Sequence, residues 1–180
     1  MQRLGDDPFV LERLLGLATM CMRTGDTQRA RRLLDLAEDK GLDPLRVQLG
    51  RARVALLTGQ AEEAEGALRT ARDIDPFDED AADLLGQLLA ARGEHEEALE
   101  CFLDAQIVAG SDPERAASYA GPIDEACGRL ELTREQCRDR LAQRTSRFEE
   151  LAFEAEEAAE RAEPVVEEAS HDGGAHPPMR

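Results

Sequence analysis

The sequence predicts an all-α fold, a right-handed stack of antiparallel helix pairs. The main observation is an internal repeat of 34 residues, marked by Gly25, Gly59 and Gly93. Small and large apolar residues recur at the same step, and no segment shows the apolar–polar alternation typical of strands. The other columns are Ala18, Ala52 and Gly86; Ala30, Ala64 and Ala98; Leu34, Leu68 and Phe102; and Ala37, Ala71 and Ala105.

Each repeat is interpreted as two helices, A and B, joined by a tight turn. The glycines lie at that turn, where a residue with positive φ ends helix A. The columns of small residues allow close approach of neighbouring helices, and the column of Leu and Phe fills the space between them. Because one helix pair cannot bury its apolar face alone, the pairs are expected to stack.

Local signals set the helix limits. Asp-Pro pairs at 7–8, 43–44 and 112–113 place an N-cap acceptor before a proline in the first helical position. A capping box at Thr133–Gln136 predicts the start of the last helix. A seventh helix contains Gly121-Pro122, which should kink or split it. We expect helices near 8–23, 27–40, 44–58, 61–73, 79–92, 95–109, 113–129 and 134–163.

These residues resemble the tetratricopeptide repeat, a helix–turn–helix motif of the same period. The resemblance covers roughly residues 8–110 and implies a right-handed α-solenoid with a C-terminal capping helix. Pro76 matches the closing proline of the family, whereas the aromatic residues of the family's helix A are missing. We expect three clear repeats and a degenerate fourth with Gly128 near its turn in residues 8–132, a long helix in 133–169 and a disordered tail in 170–180.

The last helix separates its charges. Residues 131–148 carry a net charge of +2, and residues 149–168 carry −8. Two copies could pair in antiparallel orientation, with a seam of Leu141, Phe148 and Leu151, or the helix could cap the repeats of its own chain. The second arrangement is favoured, so a monomer is expected rather than a homodimer.

Composition excludes several classes of function. The chain has 22 Lys and Arg against 39 Asp and Glu, a net charge of −17, which argues against binding to nucleic acid or anionic membranes. Tyr119 is the only tyrosine and there is no tryptophan, so aromatic platforms for stacking bases are absent. No apolar stretch could span a membrane, and acidic residues precede the longest one, so a cytoplasmic location is expected.

No arrangement of residues predicts catalysis, a metal site or a cofactor. The helix with His95-Glu96-Glu97 lacks the second His of a zinc protease, and the acidic residues of 73–83 lack the glycine of a calcium loop. The four cysteines form no CxxC pair. We expect free thiols in a reducing compartment, with a Cys127–Cys137 disulfide as the alternative.

The resemblance also implies a concave groove, lined by the helix A faces, that holds an extended or helical peptide. The family's carboxylate clamp for chaperone C-termini is absent, because Leu15, Thr19, Asp80 and Leu84 stand at its positions. Leu15, Leu49 and Leu56 could instead belong to the core or be covered by the chain's own termini. The positions carried over are Glu12, Leu15, Thr19, Met22, Arg23, Arg46, Leu49, Arg53, Leu56, Leu57, Asp80, Asp83, Gln87 and Ala90.

The sequence therefore predicts a non-catalytic protein–protein interaction module, an adaptor or scaffold of the bacterial cytoplasm that binds a peptide or helix in its groove. The alternative is a small acidic secretion chaperone for a hydrophobic client. Such chaperones share the number of repeats, the length and the acidic charge with this chain.

Overall fold

The computed structural model describes residues 8–162, of which none forms a β-strand. Helices dominate this part of the chain, and a short 3-10 turn (Ala109–Ser111) interrupts them once. The α-helices are α1 (Pro8–Arg23), α2 (Thr27–Asp39), α3 (Pro44–Leu57), α4 (Ala61–Ile74), α5 (Glu79–Arg92), α6 (His95–Val108), α7 (Pro113–Ser118), α8 (Ala120–Arg129) and α9 (Arg134–Ala162).

The predicted stack of helix pairs is confirmed, and the first six helices end within one residue of the expected limits. Side-chain caps explain this accuracy. Asp26 accepts a hydrogen bond from the Arg29 amide at 3.1 Å, and Asp78 accepts one from the Ala81 amide at 2.7 Å. Each cap satisfies an amide that the first helical turn leaves without a partner. The predicted cap Asp7 lies outside the described residues.

The turns between helices A and B are alike in the three clear repeats. Gly25, Gly59 and Gly93 have φ angles of 79°, 71° and 84°. The residue after each glycine donates its amide to a carbonyl five residues earlier, at 2.9 Å in every case. This hydrogen bond closes helix A and needs the left-handed conformation that glycine adopts without strain.

Small residues set the distance between helices A and B. Ala18, Ala30, Ala52 and Ala64 have no exposed surface. At Gly86 even a methyl group is too large, because a Cβ built there lies 2.8 Å from the Phe102 ring. The helices can therefore approach closely only where the side chain is very short.

The fourth unit departs from the repeat. Tyr119 separates α7 from α8, so the expected split occurs, and Pro122 lies in the first turn of α8, where its missing amide is not needed. The residue with positive φ is Glu131 (57°), not Gly128, which lies inside α8. The turn thus comes 38 residues after Gly93, four more than the period and about one helical turn later.

The prediction of four free thiols is wrong for two of them. Cys127 in α8 and Cys137 in α9 form a disulfide, with Cα atoms 6.5 Å apart, whereas Cys21 and Cys101 are free. This Cα separation is within the range that a disulfide can bridge. This pair was the alternative to free thiols. Its spacing in sequence could not decide between the two, because the bond depends on how the turn at Glu131 brings the two helices together.

The start of α9 packs on the third repeat. Leu141 and Cys137 pack against a buried cluster that α6 and α8 form with Leu99, Leu103, Ala126 and Cys127. Seven residues after Leu141, the Phe148 ring meets Phe77 edge to face, with centroids 5.3 Å apart. The predicted seam residues Leu141 and Phe148 therefore serve contacts within the chain.

Ion pairs hold the same part of α9 against α6. Arg140 lies 2.6 Å from Glu96 and 3.3 Å from Glu100. Asp104, which has no exposed surface, lies between Arg144 and Arg72, and Arg144 Nη2 donates to its Oδ2 at 2.7 Å. Acidic residues one helical turn apart on α6 thus match basic residues one turn apart on α9.

The described residues divide into two compact units, 8–148 and 149–162. In the second unit, α9 continues to Ala162, Arg161 pairs with Glu157 at 2.7 Å, and Phe153 is exposed. The last residues of the predicted helix and the predicted tail 170–180 lie outside the described residues. Within residues 8–162, no helix combines the length and the apolar character that crossing a membrane requires.

Two glycines inside helices test the close packing. Gly86→Ala should destabilise the protein by about 1–2 kcal/mol, because the new methyl group overlaps Phe102. Gly66→Ala is the matched control: nothing lies within 4 Å of its Cβ position, so better helix propensity should stabilise by about 0.5–1 kcal/mol. Denaturant unfolding measures both values, and equal shifts would contradict the packing account.

The buried carboxylate gives a second prediction. Asp104→Asn should lower the free energy of unfolding by about 3 kcal/mol, because it removes the charge shared by Arg72 and Arg144. Glu96→Gln, at the exposed end of the same face of α6, should cost less than about 1 kcal/mol. Denaturant unfolding measures both losses. Equal losses would contradict the prediction that burial makes the ion pairs of Asp104 stronger than the pair of Glu96.

Candidate partner-binding groove

A shallow cavity of about 360 Å³ lies between α1 and α3, the A helices of the first two repeats. Its size is near the lower end of the range for ligand sites and offers room for side chains rather than for a folded domain. All residues that line it are among the groove positions expected from the sequence: Thr19, Met22, Arg23, Arg53, Leu56 and Leu57.

The repeat explains why these residues meet. Thr19, Met22 and Arg23 are three and four residues apart, so they share one face of α1. One repeat period later, Arg53, Leu56 and Leu57 stand at the same positions of α3. The cavity is therefore the junction of two equivalent helix faces.

A second cavity, of about 610 Å³, continues this pattern at the other end of the repeats. Gln87, Ala90 and Ala91 of α5, another period further on, form one wall. The opposite wall belongs to α8 and includes Gly121 and Glu125, again at the same step. The remaining lining residues are His95, Phe102, Pro122 and Ala126.

Sequence reasoning named Gln87 and Ala90 for this region but missed the wall on α8. The signal was present, because adding 34 to 87 and 91 gives the positions of Gly121 and Glu125. The late turn at Glu131 obscured this signal, because it comes four residues after the position that the 34-residue period predicts.

Two arginines stand beside the apolar side chains of the first cavity. Arg53 Nη2 lies 2.6 Å from Asp80 Oδ2 on α5, and both side chains are about half exposed. Within the part of the chain that the structure describes, Arg23 has no ion-pair partner. An exposed pair such as Arg53–Asp80 contributes less than about 1 kcal/mol, so Arg53 can turn to a ligand carboxylate at small cost.

The apolar part of the first cavity consists of Met22, Leu56 and Leu57. Leu57 is 59% exposed, whereas Met22 and Leu56 are half-buried. The Thr19 hydroxyl donates to the Leu15 carbonyl at 2.9 Å, so its proton is already used within the helix. The surface thus offers apolar contacts in its middle and two guanidinium groups at its sides.

Some expected groove residues lie elsewhere. Leu49 is buried in the core at 7% exposure, and Leu15 is half-buried against the cores that α1 shares with its neighbours. Arg46 pairs with Glu12, and this hydrogen bond lowers the pKa of the Glu12 carboxyl. These three positions offer less to a partner than the residues around the first cavity.

The acidic residues on α5 are partly occupied. Asp80 pairs with Arg53, and Asp83 accepts a hydrogen bond from Gln87 at 2.8 Å. Among the described residues 8–162, no three His, Cys, Asp or Glu side chains converge in a way that could hold a metal ion. The chemistry on offer along this face is therefore apolar contact, hydrogen bonding and charge.

Comparison with known proteins adds to this geometry. Residues 22–88 match the tetratricopeptide repeat family. A solved structure titled as a T3SS complex from Aeromonas hydrophila has a TM-score of 0.61 and 21% identity, and covers 71% of this chain and 87% of that chain. The structure of PcrH in complex with the chaperone binding region of PopB has a TM-score of 0.55 and 16% identity, and covers 68% and 96%. At these identities the likeness shows the fold, and no curated protein matches the sequence.

Proposed function

We propose, from the premise that this chain is a tetratricopeptide repeat protein, that it is a non-catalytic module that binds a segment of a partner protein along its helix A faces. The observation that carries this proposal is the repetition of the cavity-lining positions. Residues of α1 and α3 line the first cavity, and equivalent residues of α5 and α8 line the second, so the same face of successive helices is available to a partner chain.

The first cavity indicates the chemistry of the ligand. An apolar side chain fits among Met22, Leu56 and Leu57, and acidic neighbours in the ligand would meet Arg23 and Arg53. The net charge of −17 repels a strongly acidic partner at long range. We therefore propose a mostly neutral or mixed-charge segment with one apolar anchor and one or two carboxylates beside it.

A test uses synthetic peptides with a central Leu or Phe, flanked by Asp and Glu in one set and by Lys in the other. Leu57→Ser should weaken binding of the acidic-flanked set about tenfold or more, because an exposed apolar contact at the centre of the site is lost. Arg23→Glu should weaken the same set and improve the Lys-flanked set. Isothermal titration or fluorescence anisotropy measures the dissociation constants.

Leu36→Ser is the matched control, because Leu36 is also an exposed leucine but lies on α2, a B helix. Its dissociation constants should equal those of the unmodified protein. A loss at Leu36 as large as that at Leu57 would contradict the assignment of the helix A face. Circular dichroism confirms that each variant keeps its helix content.

A secretion chaperone is the second candidate. It is favoured by the fold likeness to a T3SS complex from Aeromonas hydrophila and to PcrH in complex with the chaperone binding region of PopB. An adaptor and a chaperone differ in the state of the partner. A client that aggregates or is degraded unless this protein is co-expressed would favour the chaperone, and a partner that is folded and stable alone would favour the adaptor.

A further inference from the structure

The Cys127–Cys137 disulfide lies in the wall of a third cavity, formed by α6, α8 and α9. The cavity has a volume of about 580 Å³ and is open to solvent. Leu103, Ile123 and Leu141 give it apolar walls. Arg134 and Arg138 bring positive charge from α9, and Asp124 brings one negative charge from α8. The proposed peptide-binding face does not use these residues.

The two sulfur atoms have different surroundings. Cys137 is half-buried in the first turn of α9, where its amide donates to the Thr133 carbonyl at 3.0 Å. Arg134 and Arg138 lie on either side of Cys137 in sequence and line the same cavity, and Glu135 is the acidic residue of this turn. Cys127 is 4% exposed and lies in the last turn of α8.

We propose that Cys127 and Cys137 form a reversible thiol–disulfide exchange site that reacts with dithiols through Cys137. The inference rests on three observations: an open cavity that reaches the bond, a half-buried cysteine at a helix start between Arg134 and Arg138, and a buried cysteine joined to it. The substrate class is a small-molecule or protein dithiol.

The exchange takes two steps. A thiolate of the dithiol attacks Cys137 Sγ, so that a mixed disulfide forms and the Cys127–Cys137 bond breaks. The bonding electrons pass to Cys127 Sγ, which takes a proton from water. The second thiol of the reagent, once deprotonated, attacks the reagent sulfur that is bonded to Cys137. The reagent closes to a disulfide, and Cys137 leaves as a thiolate. The protein gains two electrons, and the dithiol is oxidised to a disulfide.

Reduction should loosen only the start of α9. The disulfide ties Cys137 to α8, but Arg140 and Arg144 remain paired with Glu96, Glu100 and Asp104 of α6. The segment around Arg134 and Arg138 therefore loses its covalent tie, whereas the segment around Arg144 keeps its ion pairs. The bond thus sets the local order of one end of the stack and not the fold as a whole.

The free cysteines provide a contrast within the same chain. Cys101 is 3% exposed, and burial raises the pKa of its thiol. Cys21 is half-buried on α1 and has no second cysteine near it. Neither has a second cysteine within bonding distance, so both should stay reduced where Cys127 and Cys137 are joined.

The test uses the full chain, equilibrated with oxidised or reduced dithiothreitol, quenched in acid and alkylated. Peptide mass spectrometry should find Cys127 and Cys137 linked to each other in the oxidised sample and alkylated in the reduced sample. Cys21 should be alkylated in both samples. Reduction should raise the rate of tryptic cleavage after Arg134 and Arg138 at least about tenfold and leave cleavage after Arg144 unchanged.

Three variants complete the experiment. The double variant Cys127→Ser, Cys137→Ser should be cleaved at the same rate with and without dithiothreitol. Glutathione disulfide should modify Cys137 in Cys127→Ser at least about tenfold faster than Cys127 in Cys137→Ser. Absence of the linked peptide in the oxidised sample, equal modification rates, or a reduction effect as large after Arg144 as after Arg134 would each overturn the proposal.

Discussion

The close approach of helices A and B, made possible by alanine and glycine at their contacts, is the constraint on which the rest of the structure depends. Ala18, Ala30, Ala52 and Ala64 are fully buried, and a Cβ at Gly86 would overlap Phe102. The same small residues recur every 34 residues, and so do the positions of the A helices that face the cavities. Equivalent faces of successive A helices therefore line both cavities. The proposed binding surface therefore follows from the same 34-residue repeat that sets the packing of helices A and B.

Arginine gives the stack a second, electrostatic layer of order. Several ion pairs join one helix to another rather than residues of one helix: Arg46–Glu12, Arg53–Asp80, Arg69–Glu97, Arg72–Asp104, Arg92–Glu65 and Arg115–Glu79. Most are exposed and individually weak, whereas the pairs at Asp104 are shielded from water. Because the chain has a net charge of −17, these arginines reduce the repulsion between acidic residues of neighbouring helices. Arg23, without a partner among the described residues, is an exception beside the first cavity.

The sequence predicted local structure well and long-range geometry unevenly. Helix limits followed from caps such as Asp26 and Asp78, which act within one turn and need no tertiary information. The face around Met22 and Leu56 was carried over from the resemblance to the tetratricopeptide repeat, whose period places these residues at equivalent positions of α1 and α3. Leu49 was expected in the groove but is buried in the core together with residues of α5. Its burial depends on how α3 packs against its neighbours, which the spacing of residues in the sequence does not show. The turn was expected near Gly128, and the Cys127–Cys137 disulfide was expected only as the alternative to free thiols. Both outcomes depend on one extra helical turn in the fourth unit.

The two cavities along the helix A face are not continuous. The first lies between α1 and α3, the second between α5 and α8, and the Arg53–Asp80 pair bridges the helices between them. A partner that fills both must carry two anchors on one chain, joined by a spacer that crosses this pair. The second anchor then binds as an intramolecular step, and its contribution is set by the length and stiffness of the spacer. Avidity of this kind can raise affinity by roughly 10²–10⁴-fold without any new contact. The two cavities would thus select a partner by the spacing of its two anchors as well as by their chemistry.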